Sequence, residues 1–454
     1  MTTPVEPATP SWRGELRAAV RLAVPVVVAQ VGMMMMNVVD VAMVGRVSDT
    51  ALASVAAGNV YLFSILIFCI GLLLVLDPLI AQAVGAGDRD DVALHLQRGL
   101  WLACALSLPA VLFALPAGPL LRLLKQQEEV VPIAAGYVHA SIPGILPFLA
   151  ALPLRQTLQA LSRTRAIVWT VLFANAVNVV LDLAWIHGWF GFTASGAVGC
   201  AWATSVCRGL LVVGLLTLGW RELRPHLRPL RPAARDIGGI WRMLVRGAPL
   251  GGAHLLEYGA FMATTLMMGH ISTQAGAGHQ VAIILASLSF MVPLGVSSAA
   301  AVRVGYAVGR GDAPGARVAA ALPLAGTVLI MSLFAALFLG APRALATIYT
   351  DESEVLAVAA ALIPLAGVFQ LADGLQVVAS GVLRGLGDVR TPLLVHLLGF
   401  WVIGLPLGAF LSFGCDVGVT GPWWGLVAGL SVGATILTVR VPLLLRQQIS
   451  RLPA

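Results

Sequence analysis

The sequence predicts an all-α integral membrane protein: twelve transmembrane helices in two six-helix bundles, related by a pseudo-twofold axis along the membrane normal. Three observations predict it. The 454 residues are 59% hydrophobic and only 11% charged, with a mean hydropathy of +0.91, outside the range of a soluble globular domain. Apolar stretches long enough to cross a hydrocarbon core of about 30 Å as helices recur along the whole chain. Finally, the second half repeats motifs of the first. Strand-period alternation is absent, which argues against an outer-membrane barrel.

Residues 1–20, with Pro4, Glu6, Pro10 and Glu15, lack the apolar core of a signal peptide and read as a cytoplasmic tail, with an interfacial helix around Trp12 to Arg21. An amino-terminal bundle over 21–218 follows, with spans near 21–45, 55–84, 98–118, 131–153, 166–187 and 194–218. The Arg- and Pro-rich stretch 219–245, with Pro225, Pro229 and Pro232, is the one long polar connection and reads as a cytoplasmic linker. A carboxy-terminal bundle over 246–446 has spans near 246–270, 279–306, 318–341, 354–383, 391–413 and 421–445, before a cytoplasmic tail at 447–454.

Arginines set the orientation. With the amino terminus inside, the termini, even-numbered loops and linker collect Arg13, Arg17, Arg89, Arg98, Arg155, Arg163, Arg310, Arg384, Arg390 and many others. The opposite side has only Arg46, Arg122, Lys125 and Arg343, so both termini are expected in the cytoplasm. The net charge of +7 is spread by loop and forms no single patch, which argues against a nucleic-acid partner. The five cysteines stand at no metal-ligand or redox spacing and read as small apolar fillers.

The repeat is specific. Ala83-Val84-Gly85-Ala86-Gly87-Asp88 returns about 224 residues later as Ala307-Val308-Gly309-Arg310-Gly311-Asp312. At the same offset Gly45, Ser48 and Ala51 match Gly269, Ser272 and Ala275, and Pro25 matches Pro249. An even number of spans per half makes both halves enter the membrane in the same sense. Two such bundles meeting face to face enclose a cleft, the architecture of alternating access at the midplane.

Four carboxylates stand inside these spans: Asp40, Asp182, Glu257 and Asp373. A charge at the bilayer centre costs roughly 2.5 to 3.5 kcal/mol on insertion scales, so each is a candidate for an ion, proton or substrate path. Asn37 and Asp40 share a helix face, as do Asn178 and Asp182. If spans one and five pack together, two carboxylates and two amides converge. Like charges in a poorly solvated pocket resist ionising together, which suits a proton, while the same oxygens suit a hard cation. Glu257 and Asp373 fall near the centre of the second half, as a site for Na⁺, H⁺ or a cationic substrate. The acidic cores favour a positively charged substrate.

Several stretches carry a resemblance: Asn37-Val38-Val39-Asp40-Val41-Ala42-Met43-Val44-Gly45, Ala81-Gln82-Ala83-Val84-Gly85-Ala86-Gly87, Gly278-His279-Gln280-Val281-Ala282, and above all Gln370-Leu371-Ala372-Asp373-Gly374-Leu375-Gln376 with its continuation to Gly385. The chain is similar over about residues 15–445 to the multidrug and toxic compound extrusion (MATE) family, most closely its NorM-like branch. The resemblance implies an antiporter of the cell (inner) membrane that expels organic cations and amphiphilic drugs in exchange for inward H⁺ or Na⁺, with no cofactor and no enzymatic activity. Asp40, Glu257 and Asp373 resemble the first-, seventh- and tenth-span carboxylates of the family. Asn178 and Asp182 resemble its fifth-span polar pair, and Gln280 an eighth-span drug contact. Relatives of the NorM branch often carry Tyr one turn before the tenth-span acid; Phe369 stands there instead, which argues against a Na⁺ cage at that point.

Asn37 and Gln376 join Asp40, Glu257, Gln280 and Asp373 as candidate substrate contacts, with Glu257 and Asp373 as the candidate Na⁺ ligands. For the amides, interhelical hydrogen bonding is the competing account. Asp77 and Arg208 read as structural, and His254, one turn from Glu257, as a hydrogen-bonding partner. Met33 to Met36 cannot all face one way, so one or two at most line the cleft. The protein is expected as a monomer in contact with membrane lipid. A lipid-linked-precursor or polysaccharide flippase is the runner-up, and it would need cleft-facing arginines. A channel would call for symmetric polar rings, and an enzyme for a metal cluster or nucleophile arrangement inside the spans.

Overall fold

The repeated sequence folds into repeated caps. Ser48 accepts a hydrogen bond from the Ala51 amide at 3.0 Å, and Ser272 accepts one from Ala275 at 3.0 Å. Asp88 caps Asp91 at 3.0 Å, as Asp312 caps Gly315 at 2.8 Å. Before each aspartate stands a glycine in the left-handed region, Gly87 at φ +71° and Gly311 at φ +68°, where an L side chain would be strained. The helices that these residues cap therefore start at matching positions, Asp49 with Thr273 and Arg89 with Ala313.

The computed structural model describes residues 12–446 together with Arg451 and Leu452. The tails expected at 1–20 and 447–454 thus fall partly outside the described residues. The spans are α1 (Trp12–Val44), α2 (Asp49–Gly85), α3 (Arg89–Ala114), α4 (Val130–Ala160), α5 (Thr164–His187) and α6 (Gly196–Leu218) in the first lobe. The second lobe holds α7 (Ile237–Ile271), α8 (Thr273–Gly309), α9 (Ala313–Gly340), α10 (Ser353–Gly385), α11 (Arg390–Gly414) and α12 (Gly418–Leu445). Eleven are apolar enough to cross a membrane by composition. The remaining one, α7, is 35 residues long and carries His254, Glu257 and Tyr258 in its middle.

Three differences from the sequence reading have physical causes. The stretch Trp12 to Arg21 is continuous with α1, because nothing between them breaks the helix. Helix α7 begins nine residues before the expected span, at Ile237, where Asp236 accepts from the amides of Gly238 and Gly239. The remaining linker is strapped to α3: the Gln97 amide donates to the carbonyls of His226 (2.9 Å) and Pro229 (3.1 Å) and accepts from the Arg231 N–H at 2.9 Å. Prolines interrupt other spans. Helix α2 breaks at Leu74–Val75 just before Pro78, and α4 passes through a 3₁₀ turn at Ile142–Gly144, which contains Pro143. Helix α11 widens into π-turns on either side of Pro406.

The lobes meet through α1 against α8 and through α2 against α7, two contacts exchanged by the pseudo-twofold axis. They meet through glycine. The position of a Cβ on Gly71 lies 2.6 Å from the Gly251 Cα, and one on Gly295 lies 2.5 Å from a Val27 methyl. A methyl on Gly85 would overlap the Tyr306 carbonyl, and one on Gly309 the Gln82 carbonyl. These approaches lie between the midplane and the arginine-rich face. Toward the opposite face, every glycine approach among the described residues is within one lobe, and Phe63 against Tyr258 (5.6 Å) bridges the lobes near mid-height.

Ion pairs fasten the same half. Arg303 of α8 holds Glu15 of α1 through two hydrogen bonds of 2.8 and 2.5 Å. Arg384 of α10 lies 3.3 Å from Asp77 of α2, both buried. Gln82 donates to the Gly385 carbonyl at 3.1 Å and accepts from the Leu452 amide at 2.8 Å, while Arg451 pairs with Asp88 and Asp91. Overpacking a tight contact costs about 1–3 kcal/mol. Gly309→Ala and Gly85→Ala are therefore expected to separate the lobes on the arginine-rich face. Spin labels at Arg163 and Arg390 should show a larger long-distance population than wild type, and unchanged distance distributions would count against this packing account.

Candidate functional site

In the first lobe, α1, α5 and α6 bring together Asp40, Asn178, Asp182, Cys200 and Thr204. Tight packing of α6 on α5 builds the pocket: a Cβ on Gly199 would overlap the Trp185 carbonyl, and Ser195 donates its N–H to the same carbonyl at 2.8 Å. One carboxylate oxygen each from Asp40 and Asp182 and the Cys200 sulfur all lie within 4.8 Å of one another. The Thr204 hydroxyl donates to Asp40 Oδ2 at 2.8 Å. Asn178 and Asp182 are fully buried and Asp40 is 5% exposed.

Unmet polarity is a property this pocket shares with the Asp77–Arg384 pair, where Asp77 Oδ2 and Arg384 Nε also lack hydrogen-bond partners among the described residues. Both carboxylate oxygens of Asp182, Oδ1 of Asp40 and both polar atoms of Asn178 are buried without a hydrogen-bond partner. Buried polar atoms are paired in the great majority of cases, and exceptions call for an unseen ion or a functional role. Among the described residues no Arg, Lys or His lies within 4.0 Å of either carboxylate. Arg208, stacked at 4.9 Å on the Phe148 ring, supplies positive charge from the edge of the pocket.

The expected set of four is three here. Asn37 is exposed and accepts from the Asn59 amide at 3.3 Å, across to α2. Three residues turn a helix by about 300°, so Asn37 and Asp40 diverge by some 60°. With α5 and α6 covering the Asp40 side, Asn37 is left toward α2.

The second-lobe site is built differently. Glu257 on α7 lies 3.5 Å from His254 Nδ1, and its charge also acts on His396 of α11 and on Asp373 of α10. His396 Nδ1 lies 3.2 Å from the Ala253 carbonyl, which can only accept, so this nitrogen carries the proton. Its Nε2 faces the Gln376 amide nitrogen at 3.3 Å. Asp373 Oδ1 and both polar atoms of Gln370, one turn earlier on α10, are buried without partners. Gln376, expected against substrate, is enclosed between His396 and Gly433. Gln280, by contrast, is exposed, whereas its neighbour His279 is buried between Trp423 and Thr265. Phe369 stacks edge-on against Phe261 and Trp423, so an aromatic cluster fills the place of the absent tyrosine hydroxyl.

Sequence reasoning missed Thr204, Cys200, Gln370 and His396. His396 had a signal, being a lone histidine in an apolar run; the others have none beyond helix contact. It also counted Arg98, Arg155 and Arg384 with the loops. They lie within α3, α4 and α10, where Arg155 donates to Gln30 at 3.3 Å and its charge faces Asp77.

The family model described as MatE matches residues 25–184 and 249–410, two stretches that begin at Pro25 and its repeat mate Pro249. The chain belongs to the MatE family. A probable multidrug resistance protein NorM of Bradyrhizobium diazoefficiens is 35% identical over 443 residues, covering 95% of this chain and 94% of the relative. A multidrug resistance protein MdtK of Edwardsiella ictaluri is 32% identical over 443 residues, covering 96% and 97%. Among solved structures, the eukaryotic MATE transporter AtDTX14 superposes with a TM-score of 0.89 at 23% identity, covering 96% of this chain and 98% of that one. An outward-facing multidrug resistance MATE family transporter gives a TM-score of 0.86 at 20% identity, covering 95% and 97%. In this MatE chain the two-lobe, twelve-helix fold of those structures is preserved.

Unpartnered and paired carboxylates predict opposite stability effects. Asp182→Asn, which removes a buried charge without breaking an ion pair, is expected to hold or raise the melting temperature in detergent. Asp77→Asn strands Arg384 and Arg155 and should lower stability by roughly 3 kcal/mol. Thermal unfolding of both variants checks this; a lower melting temperature for Asp182→Asn than for Asp77→Asn would reverse the assignment.

Proposed function

We propose that this MatE-family chain is a multidrug exporter of the cell (inner) membrane, with both termini in the cytoplasm. It exchanges organic cations or amphiphilic drugs for inward H⁺ or Na⁺ by alternating access of its two lobes. The observation that carries the reading is one acid pocket in each lobe in which some buried carboxylate oxygens, of Asp40 and Asp182 in the first and of Asp373 in the second, lack hydrogen-bond partners among the described residues. The names of the NorM and MdtK relatives support the substrate class, and the acidic pockets suit a cationic cargo.

Zipped together on the arginine-rich, cytoplasmic side, the lobes hold the cleft open outward. In this state H⁺ or Na⁺ from outside reaches Asp40 and Asp182 in one lobe, and Glu257 and Asp373 in the other. Neutralising these groups weakens their hold on a cationic drug, which leaves outward. The inward-open state then reloads the pockets with drug as the cation departs. The driving force is sufficient, since one elementary charge moving through about 100 mV releases about 2.3 kcal/mol. The flippase reading is less well supported because an anionic diphosphate needs several free arginines: Arg303 is committed to Glu15 and Arg384 to Asp77, which leaves Arg208 as the one candidate among the described residues, stacked on Phe148 with its charge acting on Asp40.

Dye efflux from proteoliposomes, driven separately by a pH gradient and a Na⁺ gradient, tests the proposal. One gradient should drive export of a cationic dye such as ethidium in wild type, and Asp40→Asn, Glu257→Gln and Asp373→Asn should each slow it at least tenfold. Undiminished efflux in all three variants would overturn the coupling model, and binding of an anionic lipid diphosphate without cation transport would promote the flippase.

A further inference from the structure

Cys200 is the one member of the first-lobe pocket that neither a proton nor Na⁺ requires. Its sulfur shares a sphere of 4.8 Å with oxygens of Asp40 and Asp182, and all three side chains are buried. A pair of acids and a thiol do not make a site alone. Asn178, one turn before Asp182 and fully buried, has both its carbonyl oxygen and its amide nitrogen unpartnered, with its side chain directed at Asp40.

Hard cations such as Na⁺ prefer oxygen throughout, whereas a thiolate combined with carboxylates and an amide oxygen is a donor set for borderline and soft divalent ions. We propose that Asp40, Asp182 and Cys200, with the Asn178 carbonyl oxygen as fourth ligand, form a binding site for a thiophilic divalent cation of the Zn²⁺ and Cd²⁺ class. Bond lengths of about 2.0 Å to oxygen and 2.3 Å to sulfur place tetrahedral ligand atoms roughly 3.3–3.5 Å apart, so the two acids and the thiol close by at most about 1.5 Å on binding.

The charges balance. Two carboxylates and a thiolate carry three negative charges, the ion two positive ones, and the remaining charge faces Arg208, whose buried Nη1 has no hydrogen-bond partner. The thiol proton is released to solvent as the sulfur–metal bond forms. Binding needs only this pocket; an effect on transport rests in addition on the exporter reading above.

The test is a Cd²⁺ titration of the purified full-length protein in detergent, followed by thiolate-to-cadmium charge-transfer absorbance. Wild type should show a saturable band of one equivalent. Cys200→Ser and Cys200→Ala should abolish it, Asp182→Asn should weaken it at least tenfold, and replacing the exposed Cys104 and Cys415 with serine should leave it unchanged. No saturable band in wild type, or a band that survives loss of Cys200, would overturn the proposal whether or not either variant is fully stable. A second readout separates the two claims: Cd²⁺ should block dye efflux in wild type and do so at least tenfold less potently in Cys200→Ser. Should efflux fail to couple to any cation, the exporter reading falls while the absorbance result still decides the metal site.

Discussion

A carboxylate inside an apolar bundle must be neutralised by something, and this fold divides its buried acids according to what does so. Asp77 is answered by Arg384 and Arg155, and Glu15 by Arg303. Among the described residues, Asp40, Asp182 and Asp373 form no such ion pair, and each keeps at least one buried oxygen without a hydrogen-bond partner. Buried ion pairs contribute little net stability but are costly to break, so the first group fixes where the lobes touch. For the second group, the proposed function assigns neutralisation to H⁺ or Na⁺. The same physics therefore builds both the closure between the lobes and the pockets within them.

Symmetry supplies the scaffold, and departures from it supply the sites. Equivalent caps at Ser48 and Ser272, and at Asp88 and Asp312, give the lobes matching helices and matching interfaces. Inside, the lobes differ. The first combines two acids, an amide, a hydroxyl and a thiol with Arg208 at the edge. The second sets Glu257 and Asp373 among His254, His396, Gln370 and Gln376, beside the aromatic cluster of Phe369 and Trp423. One pseudo-symmetric frame thus carries two chemically different pockets.

Much of the fold was legible because membrane helices announce themselves by length and apolarity, and because the repeat from Ala83 to Asp88 encodes a turn that only one backbone geometry satisfies. The acids were legible for the energetic reason that an intramembrane charge is expensive. What escaped was everything fixed by helix rotation and depth. Asn37 turns to Asn59 because three residues leave some 60° of divergence. Arg155 and Arg384 looked like loop residues because a span's end cannot be placed to within a turn from hydropathy alone. Cys200 looked like filler because its partners are on α1 and α5, far away in sequence. His396 was visible as an isolated histidine, yet its tie to Gln376 and the Ala253 carbonyl depends on how α11 sits against α7 and α10.

The central claim is that acids without protein counter-charges hold an inorganic cation which the drug displaces. Direct counting of ions released when an organic cation binds tests it most plainly: purified protein in weakly buffered detergent solution is titrated with drug, while a pH indicator and a Na⁺ electrode record release. The account predicts release of H⁺ or Na⁺ in proportion to drug bound, reduced when Asp40 or Asp373 is replaced by Asn. Stoichiometric drug binding to the wild-type protein with no release of either ion would contradict it.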